Sequence, residues 1–251
     1  MSSDWPAVLF VLIGENLMRR LLSLNIRHGG GSRIPRVLEW IEGQHPDLVV
    51  LLEWRASNDQ LLSVTLKHKG FELAKFSKSG ARDNGIVVAA KDFIRAERIT
   101  PKGADKGELV LVSLHELSLC AAYFPQGNNK ATYFQELFEL AVRHTDVPFL
   151  VVGDINTGNN QVDLPNGATR FACSNMFDAL SREHGMTDLW RRQHGPQAQE
   201  WTWHSAKNGF RIDHAFANHT FLATFPRASC YYNHDPKKLK ITDHSALIID
   251  F

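Results

Sequence analysis

The feature that most constrains the fold of this chain is a series of apolar runs, each long enough for a buried strand. The main runs are LLSLNI (21–26), DLVVLLEW (47–54), GIVVAAK (85–91), LVLVSLH (109–115), LSLCAAYFP (117–125), FLVVGD (149–154) and HSALIIDF (244–251). Strands with continuous apolar runs are usually covered on both faces. The sequence therefore predicts sheets that lie inside the molecule.

Helical patterns are interleaved with these runs. IPRVLEWIEGQ (34–44) has apolar residues at helical spacing, and ATYFQELFELAVRH (131–144) is amphipathic. LVLVSLH and LSLCAAYFP follow each other closely enough to pair as a hairpin. The pattern predicts a layered α/β fold, with two mixed β-sheets packed on each other and flanked by helices.

Length and composition favour a single domain. The 251 residues contain no internal repeat or long linker, so we expect one domain over 21–251. Residues 1–20 are expected to form an extension outside the core; their apolar stretch, WPAVLFVLIG (5–14), is too short to span a bilayer. The net charge of +1 argues against a strongly basic nucleic-acid coat but leaves room for a local basic patch.

The three cysteines are widely spaced and have no zinc-site pattern around them. An odd number of scattered cysteines is typical of reduced thiols, which predicts a cytoplasmic protein.

Polar residues recur where the predicted strands end. Alone, each of them is more often a turn former, a helix cap or a solvated group. The set comprises Asn25, Glu53, Tyr123, Asp154, Asn156, Asp213, His214, Asp243 and His244. Burying carboxylates costs free energy unless they are paired or bound to a metal, so their recurrence favours a shared cleft. Oxygen-rich ligands favour Mg²⁺ or Mn²⁺, which commonly serve phosphoryl oxygens.

Eight short segments occur in an order that resembles a known family. They are SLNIRHGG, PDLVVLLEW, GIVVAAK, AAYFPQG, GDINTG, GMTDLWR, FRIDH and TDHSALI. Together they resemble the endonuclease/exonuclease/phosphatase superfamily, and within it the exonuclease III and abasic-site endonuclease branch. The resemblance implies a four-layered α/β sandwich and hydrolysis of phosphate esters.

The resemblance also implies a metal site. By position, Glu53 is the principal metal ligand, with Asn25 and Asp243 completing or supporting the site for Mg²⁺ or Mn²⁺. Whether one or two ions bind stays open.

Five further residues match the family's catalytic positions. Asp154 would take a proton from the attacking water, and Asn156 would help to hold the phosphate. Tyr123 would bond the phosphate or the leaving oxygen. His244 would bond a phosphate oxygen while Asp213 orients its imidazole. The sequence leaves open whether Asp154 or His244 is the base.

Substrate contacts are expected from Arg27, His28, Arg55 and Trp203. The first two lie in NIRHGGG, which could approach a phosphate backbone closely or simply form a loop. Trp203 could wall a sugar pocket or pack in the core. Other basic residues could join Arg27 and Arg55 in a patch or be scattered: Arg33, Lys130, Arg191, Arg192, Lys237, Lys238 and Lys240.

Two departures from the abasic-site enzymes stand out. Those enzymes usually carry Gln before the metal-binding Glu and Lys shortly after it, whereas this chain has Leu52 and Arg55. The segment HSAKNG (204–209) is also shorter than the corresponding region of those enzymes, which reaches into the minor groove.

The sequence thus predicts a Mg²⁺- or Mn²⁺-dependent phosphodiesterase acting on DNA, as a 3′-5′ exonuclease or repair-type endonuclease. Alternatives are a phosphoesterase acting on an RNA 3′ end, a small phosphoester or a phospholipid headgroup, and a non-catalytic nucleic-acid-binding module. DNA is the expected partner, RNA an alternative one, and the protein is expected to be a monomer without membrane attachment.

Overall fold

The computed structural model describes residues 18–77, 80, 82–92, 94–104 and 107–251. Most of the predicted N-terminal extension, residues 1–17, lies outside the described residues. Arg20 already begins the first strand, and the backbone N–H of Arg19 donates to the carbonyl of Phe251.

The strands run in chain order as β1 Arg20–Asn25, β2 Leu48–Trp54, β3 Glu72–Phe76, β4 Gly85–Ala90, β5 Arg95–Ile99, β6 Glu108–Ser113, β7 Ser118–Tyr123, β8 Phe149–Asp154, β9 Thr187–Asp188, β10 Trp203–His204, β11 Gly209–Phe210, β12 Asp213–Ala217, β13 Ser229–Asn233 and β14 Ala246–Asp250. The helices are α1 Ile34–Gly43, α2 Asp59–His68, α3 Ala131–Arg143, α4 Ser174–Arg182, α5 Leu189–His194, α6 His219–Thr224 and α7 Asp235–Lys238.

Two mixed six-stranded sheets form the centre of the molecule. Their strand orders are β13-β14-β1-β2-β4-β3 and β5-β6-β7-β8-β12-β9. Each sheet contains one parallel pair, β1 with β2 and β7 with β8, and its other pairs are antiparallel. The predicted hairpin is β6–β7.

The core is divided into three apolar layers, which explains the continuous apolar runs. One layer lies between the sheets and contains Leu52, Val88 and Val152. A second packs α1 and α2 on the first sheet, and a third packs α3 and α4 on the second sheet. Because both faces of each sheet are covered, every side chain of a central strand such as β4 is buried. The predicted four-layered α/β sandwich is confirmed.

Strand direction determines where the polar strand ends meet. Because β1 and β2 are parallel, Asn25 and Glu53 lie at the same edge of the first sheet. In the second sheet, Tyr123 is opposite Asp154, which is opposite Asp213 on β12. The two edges are adjacent and form one cleft.

Within the described part of the chain, no helix combines the length and apolarity needed to cross a membrane. Its three cysteines carry no disulfide.

Candidate active site

A cleft of about 620 Å³ opens where the edges of the two sheets meet. Ten of the twelve predicted site residues line this cleft: Arg27, His28, Glu53, Arg55, Tyr123, Asp154, Asn156, Trp203, Asp243 and His244. The other two, Asn25 and Asp213, are buried behind it and bond to residues that line it. The structure therefore brings the whole predicted set together.

Asn25 links the carboxylates of the two sheets. Its Nδ2 donates to Glu53 Oε1 at 3.1 Å and to Asp154 Oδ2 at 3.0 Å. Its Oδ1 accepts from the backbone N–H of Arg27 at 2.9 Å, and a backbone N–H can only donate. The amide orientation is therefore fixed, and Asn25 acts here as a donor that holds two carboxylates in place.

Glu53 occupies an irregular position in its strand. The pairing of β2 with β4 shifts between Leu52 and Trp54, and Glu53 adopts a φ of 59°. Such a conformation is strained for a residue other than glycine and is found disproportionately at functional sites. The backbone N–H of His28 donates to Glu53 Oε2 at 2.7 Å, which helps to hold the carboxylate at the cleft.

His244 and Asp213 form a buried pair. His244 Nδ1 lies 3.0 Å from Asp213 Oδ2 and 3.2 Å from Oδ1. Burial alone would lower the pKa of His244, but the adjacent Asp213 carboxylate outweighs it and raises the pKa to about 9. The imidazole is therefore protonated at neutral pH, with Nε2 as the nitrogen that can face a ligand.

Asp154 is buried beside this pair. Burial, followed by the charge of Asp213, raises the pKa of Asp154 to about 7. The backbone N–H of Asn156 donates to Asp154 Oδ1 at 2.9 Å, and Asn156 Nδ2 donates to the carbonyl of Phe124 at 2.8 Å. A carboxylate with a pKa near neutrality can accept a proton from water.

The donor set suits a hard cation. Glu53 and Asp243 both line the cleft, and Asp243 Oδ1 is a buried oxygen with no hydrogen-bond partner among the described residues. Asp243 Oδ2 accepts from Trp203 Nε1 at 3.2 Å and lies 3.5 Å from Arg27 Nε. A buried unpaired carboxylate oxygen is costly, and a cation would satisfy it. Glu53 and Asp243 therefore fit a Mg²⁺ or Mn²⁺ ion.

A second group also has the spacing of a metal site. Ligand atoms of Asp154, Asp213 and His244 lie within 4.8 Å of one another. His244 and Asp213 are hydrogen-bonded together, and a protonated imidazole cannot coordinate a metal through its protonated nitrogens. This group is better explained as an acid–base cluster.

Two members of the wider basic set bond within the protein. Lys130 is buried and donates to the backbone carbonyl of Asn156, and Arg191 pairs with Asp163 at 2.5 Å. Among the described residues, the arginines that line the cleft are Arg27, Arg55 and Arg82, and no lysine lines it.

Trp203 forms one wall of the cleft. The residue is partly exposed, and its ring centroid lies 6.0 Å from that of Phe210. It therefore packs against Phe210, its partner in the β10–β11 hairpin, and faces the cleft.

Three neighbouring cleft residues were not selected from the sequence: Arg82, Asp83 and Asn84. They immediately precede β4, which runs antiparallel to β2. The beginning of an antiparallel strand lies at the same edge as the end of its neighbour. That rule applied to GIVVAAK would have pointed to Asn84.

Solved structures with this fold include an AP endonuclease from Archaeoglobus fulgidus, with a TM-score of 0.74 and 18% identity, covering 92% of this chain and 98% of that one. A 3′-5′ exonuclease from Neisseria meningitidis superposes with a TM-score of 0.77 and 18% identity, over 92% of this chain and 99% of that one. A 3′ phosphatase from Neisseria bound to a product DNA hairpin has a TM-score of 0.76 and 17% identity, with 93% and 99% covered.

A comparison with curated proteins found no match. The sequence does match the Endonuclease/Exonuclease/phosphatase family over residues 22–244, a span that contains every residue of the site described above. The chain therefore belongs to the Endonuclease/Exonuclease/phosphatase family.

Proposed function

We propose that this protein is a metal-dependent phosphodiesterase that hydrolyses DNA, acting preferentially at 3′ ends. The observation that carries the proposal is the position of the His244–Asp213 pair beside Asp154, in a cleft whose other side presents Glu53 and Asp243. A proton acceptor, a cationic donor and a cation site then face the same volume, as water attack on phosphorus requires.

The protein side chains divide the chemistry between them. Asp154 accepts the proton of the attacking water, since its pKa of about 7 leaves a large fraction ionised at neutral pH. His244 is protonated and donates from Nε2 to a phosphate oxygen, while Asp213 keeps the ring oriented. This division favours Asp154 over His244 as the base.

Tyr123 and Asn156 complete the phosphate pocket. Burial, reinforced by the charge of Glu53, raises the pKa of Tyr123 above its ordinary value, so the hydroxyl remains a donor at neutral pH. Asn156 has a left-handed backbone with φ of 52°, and Lys130 holds its carbonyl. Asn156 Nδ2 uses one of its two N–H groups on the carbonyl of Phe124, which orients the amide and leaves the other N–H to donate to a phosphate oxygen.

Glu53 and Asp243 would hold Mg²⁺ or Mn²⁺, with Asn25 keeping Glu53 in position. The bound ion would polarise a phosphoryl oxygen and screen the charge that develops during hydrolysis.

DNA is the favoured substrate for two reasons. Arginine guanidinium groups match phosphate geometry, and three of them line the cleft. The similar structures named above include DNA-processing proteins by their descriptions, one of them bound to a product DNA hairpin.

A second candidate is removal of a terminal phosphate from DNA. Three arginines can neutralise only a few phosphates, which favours a grip on one chain end over a long duplex track. A terminal monoester would present its phosphate to the same residues.

The test is a substrate panel with purified protein and Mg²⁺ or Mn²⁺. It contains labelled single-stranded, blunt, recessed, abasic and 3′-phosphorylated DNA, with RNA, a small diester and a phospholipid headgroup ester beside them. We expect the fastest turnover on recessed or 3′-phosphorylated DNA ends. If RNA or the headgroup ester is turned over faster than DNA, the proposal that DNA is the substrate is wrong. If no member of the panel is turned over, the proposal that the protein is an enzyme is contradicted.

A further inference from the structure

Tyr123 lies at the end of a row of polar side chains that crosses the cleft wall. Arg55 Nε donates to Asn84 Oδ1 at 2.7 Å. Asn84 Nδ2 donates to the Tyr123 hydroxyl oxygen at 3.2 Å, and the Tyr123 hydroxyl donates to Glu53 Oε1 at 3.3 Å. Arg55, Asn84 and Tyr123 all line the cleft.

The direction of this row follows from the chemistry of its first member. A guanidinium has N–H donors and no acceptor, so the Asn84 atom that faces Arg55 must be the amide oxygen. This removes the usual ambiguity between the oxygen and nitrogen of an asparagine side chain. The amide nitrogen of Asn84 is consequently the atom that faces Tyr123.

The same reasoning fixes the proton of Tyr123. Because Asn84 Nδ2 can only donate, the phenol oxygen is the acceptor of that bond. The single hydroxyl proton is then directed to Glu53 Oε1, an oxygen that also accepts from Asn25 Nδ2. A tyrosine hydroxyl would otherwise rotate to suit either neighbour.

We propose that Arg55 and Asn84 are positioning residues that form a one-directional hydrogen-bond chain and hold the Tyr123 hydroxyl as a donor toward the phosphate pocket. For its consequence in catalysis, this inference rests on the proposed function. The final bond of the chain is longer than the usual O–H···O range of about 2.5–3.0 Å. The Tyr123 hydroxyl can therefore redirect its hydrogen bond from Glu53 to a phosphate oxygen of the substrate at little cost, while the proton stays on Tyr123.

The Arg55 guanidinium contacts two side chains at once, those of Asn84 and His28. Its Nη2 lies 3.2 Å from His28 Nδ1 while its Nε bonds Asn84. His28 Nδ1 also lies 3.3 Å from Glu53 Oε2, so this nitrogen is between the Arg55 guanidinium and the Glu53 carboxylate. A lysine ammonium is a compact point charge and does not offer this planar pair of donors.

The first test needs no catalysis. The chain contains four tyrosines, so ¹³Cζ labelling gives a small set of signals, and the Tyr123→Phe variant identifies that of Tyr123. We expect Asn84→Ala to shift the Tyr123 signal and leave the other three in place. Asn175→Ala, which removes an exposed amide from α4, is the matched control and should shift none of them. An unchanged Tyr123 signal in Asn84→Ala would overturn the inference.

The second test is a double-mutant cycle on the best DNA substrate. Asn84→Ala should lower kcat at least about fivefold with KM changed less than about threefold, because the loss concerns orientation of a donor in the transition state. In the Tyr123→Phe background, Asn84→Ala should cost less than about twofold, since the group it positions is absent. Fully multiplicative losses would show that Asn84 acts independently of Tyr123 and would overturn its positioning role.

The two tests separate this inference from the proposed function. A shifted Tyr123 signal in a protein that hydrolyses no phosphate ester would support the hydrogen-bond chain and contradict the phosphodiesterase. Hydrolysis of a phosphate ester together with an unchanged Tyr123 signal in Asn84→Ala would support the phosphodiesterase and contradict the hydrogen-bond chain.

Discussion

At the scale of single residues, the site depends on two ionisable groups whose pKa values are both raised. Burial and the charge of Asp213 raise the pKa of Asp154 to about 7. Asp213 raises the pKa of His244 to about 9, although burial of the imidazole acts in the opposite direction. At neutral pH the ionised carboxylate and the imidazolium coexist. The environment thus provides an acceptor and a donor in one pocket, which is the arrangement general acid–base catalysis needs.

We predict that Asp154 and His244 act in the same chemical step. Asp154→Asn and His244→Ala should each lower kcat at least about a hundredfold, the usual scale for such groups. The double variant should lose much less than the product of the two single losses, because neither group functions alone. Steady-state kinetics on one DNA substrate decides this, and near-normal turnover of either single variant would contradict the assignment.

His214 predicts a pH-dependent loss of stability. The imidazole is fully buried, with Nε2 2.8 Å from the carbonyl of Thr157. Burial, together with the charge of Arg211, lowers the pKa of His214 to about 4. Above an unfolded pKa of about 6.5 both states are neutral and His214 has no effect. Between about pH 6.5 and 4 the unfolded state gains a proton that the folded state does not, which destabilises the protein by up to about 3 kcal/mol.

Urea unfolding at several pH values measures this effect. His214→Gln keeps a donor for Thr157 but cannot titrate, so its free energy of unfolding should fall less steeply between pH 6.5 and 4 than that of the wild type. Equal pH dependence in the two proteins would show that His214 does not carry the effect.

At the scale of secondary structure, a buried ion network fastens the loops around β12. Arg211 is fully buried and donates from Nε to Asp163 Oδ1 at 2.6 Å and from Nη2 to Asp188 Oδ2 at 2.5 Å. Asp163 belongs to the loop that follows β8, and Asp188 caps α5 by accepting from the backbone N–H of Arg191. Arg211 therefore connects the segments that precede Asp213 and follow Asp154.

We predict that Arg211→Met lowers the free energy of unfolding by about 3 kcal/mol, because Asp163 and Asp188 lose the buried guanidinium that bonds both of them. Arg191 keeps its contact with Asp163 at 2.5 Å and lies 4.0 Å from Asp188. Lys238→Met is a suitable control, since Lys238 is exposed and lies 3.5 Å from Asp235 at the surface. This control should change stability by less than about 0.5 kcal/mol. Urea unfolding would contradict the role of Arg211 if both variants were equally stable.

Strong periodicity made much of the fold predictable. The apolar runs that became β1, β2, β4, β7 and β8 were readable because both faces of each are buried. Helix α1 was readable because Val37, Leu38 and Ile41 repeat at helical spacing and are all buried.

Elements at the edges were not predicted. β3 and β5 are edge strands with exposed charged residues such as Glu72, Arg95 and Glu97, so their apolar pattern is interrupted. The short strands β9, β10 and β11 have two residues each, too few for any period to appear. These elements are specified by tertiary contacts.

The site was predictable where a residue type and a strand end coincided, as for Asn25, Glu53 and Asp154. The parts that depend on three-dimensional direction were not. Lys130 and Arg191 are indistinguishable from surface cations in the sequence. Only packing shows that Lys130 is itself buried and that Arg191 pairs with the buried Asp163. The contact between Asn84 and Tyr123 joins residues 39 positions apart and has no local signature.

At the scale of the whole molecule, the described residues of the cleft offer few features that could distort duplex DNA. The segment between Trp203 and Phe210 is a closed hairpin in which Ser205 and Asn208 bond to each other across the turn. Recognition of an abasic nucleotide requires extrusion of that nucleotide and bracing of the gap, at a cost of a few kcal/mol. Such a short hairpin provides little surface to offset that cost.

We therefore predict that release of terminal nucleotides is faster than cleavage at an internal abasic site. The measurement compares a recessed 3′-end duplex with an abasic-analogue duplex at equal concentration and salt. An abasic nick that forms about tenfold or more faster than terminal release, roughly 1.4 kcal/mol in barrier, would contradict this prediction. The loop that contains Arg27 and His28 would then be the first place to seek the bracing segment.

We propose above that this cleft hydrolyses DNA with a cation held by Glu53 and Asp243. The most direct measurement is the initial rate of nucleotide release from a recessed 3′ end in Mg²⁺, in excess EDTA and after Mg²⁺ or Mn²⁺ is restored, for the wild type and Glu53→Ala. We expect EDTA to abolish activity, the metals to restore it, and Glu53→Ala to be at least about a hundredfold slower while it remains folded. Full wild-type activity in excess EDTA, or near-normal turnover of Glu53→Ala, would contradict the account.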